Sequence, residues 1–168
     1  NLPLTWSSVF GVVLHQRRRQ LPSICAIIVV VFLFWFFMGH LVFALFLGLS
    51  TMTNISSSLD VFLTLNGVSM LVVGSAVGAA FALLLFMITV LALPMLLERE
   101  VDFVTAMIVS FKFVMAHPVI MLVWALFIAL ATFAAMLPAF LGLFLVLPLL
   151  GHASWHLYRQ LTVAPAAG

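Results

Sequence analysis

Polar positions in this chain are few and clustered, and the clusters divide it into apolar runs. These cover about Ser23 to Leu49, Gly67 to Leu97, Pro118 to Leu137 and Ala139 to Tyr158. Runs of this length suit helices that cross a bilayer, which takes about 20 residues each. The short alternating segments of a membrane barrel are absent from the sequence. The pattern predicts an all-α membrane protein with four transmembrane helices, over 23–49, 67–97, 118–137 and 139–158.

Two further stretches are amphipathic. Between Glu98 and Pro118, apolar Val104, Met107, Ile108, Phe111 and Met115 follow helical spacing, with Asp102, Thr105, Lys112 and Ala116 on the other side. Glu98, Glu100 and Asp102 crowd the start while Lys112 and His117 sit near the end, so charge complements the helix dipole. The spacing predicts a surface helix over 100–117, after which Pro118 opens the next span. Leu4, Trp6, Val9, Phe10 and Val13 predict a second surface helix over 3–16.

Overlaid, the two surface helices match: Trp6, Val9, Phe10 and Val13 fall on Val104, Met107, Ile108 and Phe111. Each ends in a histidine (His15, His117) and is followed by a proline that opens a span (Pro22, Pro118). Each hairpin then closes on a similar run, Leu91-Ala92-Leu93-Pro94-Met95-Leu96 against Leu145-Val146-Leu147-Pro148-Leu149-Leu150. The sequence thus reads as an internal repeat of two hairpins, each preceded by a surface helix. Residues 1–97 form the first repeat, 98–160 the second and 161–168 a tail. Such repeats can surround a central site, and two hairpins also suffice simply to make a bundle.

Composition removes the soluble alternative. The chain is 67% hydrophobic and 6% charged, against about a quarter charged in a soluble domain. Where the few charges sit then decides orientation. Arg17, Arg18, Arg19, Arg99, Lys112 and Arg159 all fall on one side of a four-span arrangement, and the opposite loops hold only Asp60. The positive-inside rule places both termini and the surface helices in the cytoplasm, with 50–66 and the Pro138 turn outside. The apolar run after the arginine triplet is too long for a secretory signal core and is expected to stay in the membrane. Six scattered cations assemble no basic surface, so nucleic acid is not an expected partner.

Small residues four apart mark where helices approach closely: Gly74, Gly78 and Ala82 on the second span, Ala125 and Ala129 on the third. Trp6, Trp155 and Tyr158, with Arg17, Arg18, Arg19 and Arg159, are expected as interfacial anchors. The lone Cys25 reads as a small apolar residue. His152 and His156 lie one helical turn apart, a spacing that can hold a metal or the edge of a haem. The plainer reading is that imidazoles are comfortable near helix C-termini at interfacial depth. His40, inside the first span, is a functional candidate by position, or a neutral ring bonded to a carbonyl. The carboxylates all fall at the water boundary, and no phosphate loop, nucleophile elbow or dinucleotide fingerprint is present. Catalysis is therefore not expected. Apart from a metal or haem at His152 and His156, no cofactor is expected, while bound lipids are.

The run from Leu93-Pro94 through Glu98, Val101-Asp102-Phe103 and His117-Pro118 to Leu147-Pro148, closing on Gly151-His152-Ala153-Ser154-Trp155-His156-Leu157-Tyr158-Arg159, resembles an uncharacterised family of bacterial integral membrane proteins. Members are sometimes labelled as cytochrome c oxidase subunits. The resemblance implies a bacterial inner membrane and association with respiratory machinery, but supplies no catalytic residues. A catalytic oxidase subunit needs several histidines in its spans, and this chain offers only His40. The expected function is an accessory subunit that contacts lipids and other integral membrane subunits. The alternatives are a small transporter or lipid-handling protein with a cavity reached by His40 or Thr132, and a haem- or metal-binding protein.

Overall fold

A computed structural model describes residues 20–48 and 60–162. The helix expected over 3–16, with Trp6, His15 and Arg17 to Arg19, lies outside the described residues, as does the loop before Asp60. Regular structure within them is helical throughout: α1 (Leu21–Leu47), α2 (Asp60–Leu63), α3 (Leu65–Thr89), α4 (Ala92–Glu98), α5 (Phe103–Ala116), α6 (Pro118–Met136) and α7 (Leu143–Thr162). Leu21–Leu47, Leu65–Glu98 and Pro118–Met136 are long and apolar enough to cross a membrane. At ~1.5 Å per residue α1 extends about 40 Å, more than the ~30 Å hydrocarbon layer, which tilt accommodates.

The fourth apolar helix differs from expectation at its start. Residues 137–142 form a turn, in which Ala139 (φ 49°) and Phe140 (φ 65°) take left-handed backbone. Helix α7 therefore begins only at Leu143. It is apolar as far as Leu150 and then carries His152, Ser154, His156 and Arg159.

Residues Cys25–Leu85 form one compact unit. Within it α1 and α3 meet in antiparallel register: a Cβ placed on Gly74 would lie 3.9 Å from the Val42 side chain, and one on Gly78 3.4 Å from Trp35 Nε1. Both distances are ordinary van der Waals contacts, so these small residues lie on the face that α3 turns toward α1. The Thr64 hydroxyl ties α2 to α3, donating to the Val61 carbonyl at 2.7 Å and accepting from Gly67 N–H at 3.1 Å. Gly67 is buried there because a Cβ would run into the Val61 carbonyl and the Phe62 backbone.

The described residues from Phe86 onward, with 20–24, form the other unit. Its hub is the seven-residue helix α4, which buries Ala92, Pro94, Met95 and Leu96. Helix α4 packs chiefly on α5 and also on α7, while α6 packs on α7 and α5 on α6. The face that α5 buries is Ala106, Ser110 and Val114, three residues one turn apart. Its larger apolar residues Val104, Ile108, Phe111 and Met115 are left exposed. The apolar stripe legible in the sequence therefore faces away from the protein. Short side chains occupy the protein-facing side because they permit closer backbone approach.

Candidate functional site

The polar groups that the fold brings together lie where the Leu65–Glu98 stretch bends and ends. The sequence suggests one span over 67–97, but the helix is interrupted at Val90-Leu91, between α3 and α4. Pro94 contributes to the break, because it has no N–H to offer the carbonyl four residues back, that of Val90. Ser110 contributes the rest. In an unbroken helix Leu91 N–H would donate to the Met87 carbonyl. Instead it donates to Ser110 Oγ at 3.2 Å, and the Ser110 hydroxyl donates to the Met87 carbonyl at 2.7 Å. A hydroxyl from α5 is thus spliced into the hydrogen-bond ladder of the span, one of the recognised causes of a kink. Ser110 is wholly buried.

Beyond α4 the chain turns extended at Arg99, whose N–H still donates to the Met95 carbonyl. It re-enters a helix at Asp102. One Asp102 carboxylate oxygen accepts from the N–H groups of Val104 and Thr105, both at 3.1 Å, an N-cap that starts α5. The helix begins three residues later than the pattern suggests, because Glu100 to Asp102 are spent on this entry. At its far end His117 caps α5, donating its N–H to the Phe113 and Val114 carbonyls. Its ring stacks on Phe113 at 4.6 Å. Pro118 then occupies the first turn of α6.

Around the junction lies a cavity of about 300 Å³ lined by Gln20, Leu96, Arg99, Glu100, Val101 and Asp102. Leu96, 2% exposed, supplies an apolar wall, while Gln20, Arg99, Glu100 and Asp102 are exposed polar groups. Tyr158 of α7 is wholly buried, and Glu98 and Arg99 are the charged groups that act on its phenol. The sequence marks Tyr158 as an interfacial anchor, and α7, which carries it, packs on α4. Trp155, half-buried, lies 5.9 Å from the Tyr158 ring, and Arg159 is exposed in the last turn of α7.

The other candidates lie apart from this junction in the sequence. His152 and His156 are both exposed, their rings 6.4 Å apart. Among the described residues no group of three or more His, Cys, Asp or Glu gathers that could hold a metal ion. The pair offers two of the three or four protein ligands that zinc ordinarily takes. His40 is exposed on α1, with its Nδ1 2.8 Å from the Phe36 carbonyl of its own helix. Ala82 and Ala129 are exposed and Ala125 is half-buried. Sequence reasoning missed Ser110. A signal was present in Ala106 and Ser110, two small residues four apart on α5.

These features define a multi-pass integral membrane protein. A family described as "Predicted integral membrane protein (DUF2189)" matches residues 1–98, and the chain belongs to that family. No curated protein and no solved structure matches the chain. The matched residues end at Glu98, so the Gly151–Arg159 stretch lies outside them.

Proposed function

We propose that the chain is a non-catalytic accessory subunit of a larger complex in a bacterial inner membrane, of respiratory or electron-transfer type. In this reading both termini and α5 lie on the cytoplasmic side, as the distribution of the six cations suggests. The observation that carries the structural role is how the placed polar side chains are used. Ser110 completes a broken helix, Asp102 caps α5, Thr64 joins α2 to α3, and His40 bonds its own backbone. Each is accounted for by the fold itself. Large apolar side chains meanwhile face outward along α1 and α6, among them Phe34, Phe37, Phe127 and Phe133, and these faces are available to lipid and to neighbouring subunits. The respiratory assignment is supported by the family resemblance given above.

Native electrophoresis of gently solubilised membranes, followed by mass spectrometry of the co-migrating proteins, tests the proposal. The chain is expected to migrate in an assembly with other integral membrane subunits. Migration only as a monomer or homo-oligomer would contradict it.

A further inference from the structure

We propose that the cavity at the Glu98–Asp102 junction binds the headgroup of a zwitterionic phospholipid with a primary ammonium, its phosphate on Arg99 and its ammonium on Glu100. The inference goes beyond the accessory-subunit reading and does not depend on it.

Position is the first argument. Gln20 immediately precedes α1, and residues 99–102 immediately follow the Leu65–Glu98 stretch. The cavity therefore sits where two long apolar helical stretches give way to polar chain, the level at which a phospholipid changes from acyl chain to headgroup. Leu97, next to Leu96 in the chain, and Val104, two residues beyond Asp102, are exposed apolar side chains. In this proposal the acyl chains lie against them.

Charge is the second. The lining holds one cation, Arg99, and two carboxylates, Glu100 and Asp102. Asp102 is already engaged, accepting from two backbone N–H groups. Among the described residues Arg99 and Glu100 form no ion pair or side-chain hydrogen bond, Arg99 acting on the Tyr158 phenol through its charge, and in this proposal both serve the ligand. A guanidinium presents a planar fork of donors that suits a phosphate. A carboxylate is acceptor-only and suits an ammonium with three N–H donors. Ethanolamine-type headgroups carry both complementary groups. A choline headgroup offers a cation with no hydrogen to donate, and a glycerol headgroup offers no cation, leaving Glu100 facing net negative charge. The same chemistry is carried by soluble phosphoethanolamine, which lacks only the acyl chains.

Native mass spectrometry of the delipidated full chain tests this with phosphatidylethanolamine, phosphatidylcholine and phosphatidylglycerol of matched acyl chains, and with phosphoethanolamine. Retention of the ethanolamine lipid is expected to exceed that of the other two several-fold at equal concentration. Glu100→Gln should reduce the preference over phosphatidylcholine, and Arg99→Gln should lower retention of all three lipids. Lys112→Gln, outside the cavity, should leave the pattern as it is. Equal retention of the three lipids, or an unchanged preference in Glu100→Gln, would overturn the proposal. Binding of phosphoethanolamine as tight as that of the lipid would overturn the lipid as the ligand.

Discussion

Ser110→Ala is expected to destabilise the protein by roughly 1–3 kcal/mol, the cost of leaving buried polar groups without partners. The substitution removes the hydroxyl that accepts from Leu91 N–H and donates to the Met87 carbonyl, and the site is closed to water. Lipid offers no replacement, since unsatisfied backbone groups are costlier in hydrocarbon than at a wet surface. The two freed groups can recover their bond only by pairing directly, which straightens the stretch and draws α4 from its place against α5 and α7. Stability and geometry are thus coupled at this position. Thermal unfolding in detergent reads the effect, with Ser110→Cys, a weaker donor and acceptor of similar size, expected in between. An alanine variant as stable as the parent would show that the hydroxyl is not what holds the bend.

Gly142→Ala should cost a similar amount, about 1–3 kcal/mol, for a different reason: overpacking against backbone. A Cβ at this position would lie 2.6 Å from the Ala135 carbonyl oxygen and 2.8 Å from its Cα. Neither atom is the end of a flexible side chain, so the last turn of α6 would have to move. The turn is also held on both sides, by Phe140 N–H on the Met136 carbonyl at 3.1 Å and Val146 N–H on the Gly142 carbonyl at 2.9 Å. Gly151→Ala is the control. It lies within α7 with nothing within 4 Å of the added Cβ, and alanine is favoured over glycine in a helix interior by about 1 kcal/mol. Opposite shifts in unfolding temperature are expected. A Gly142→Ala variant no less stable than the parent would contradict the packing described for the turn.

What the sequence made legible was local or periodic. Long apolar runs marked the helices, Pro118 marked a helix start, and Gly74 and Gly78 marked a face that meets Val42 and Trp35. What it hid depends on partners distant along the chain. The runs around Pro94 and Pro148 read as twins, yet the first is broken at Val90-Leu91 and the second continues within α7. The hydroxyl that completes the first break comes from Ser110, on a separate helix. Tyr158 shows the same limit. Its place at the end of an apolar run does not reveal that its ring is wholly buried. The stripe of Val104, Ile108, Phe111 and Met115 was legible as a stripe, but periodicity does not say whether protein or lipid covers it.

The chain is expected to cross the membrane in hairpins, with its cations gathered on one side. Cysteine accessibility tests it most directly, using single cysteines at Asp60→Cys and Lys112→Cys in a Cys25→Ser background and a membrane-impermeant maleimide on intact cells. Asp60→Cys is expected to label from outside, and Lys112→Cys only after the membrane is opened. Labelling of both positions from the same side would contradict the account.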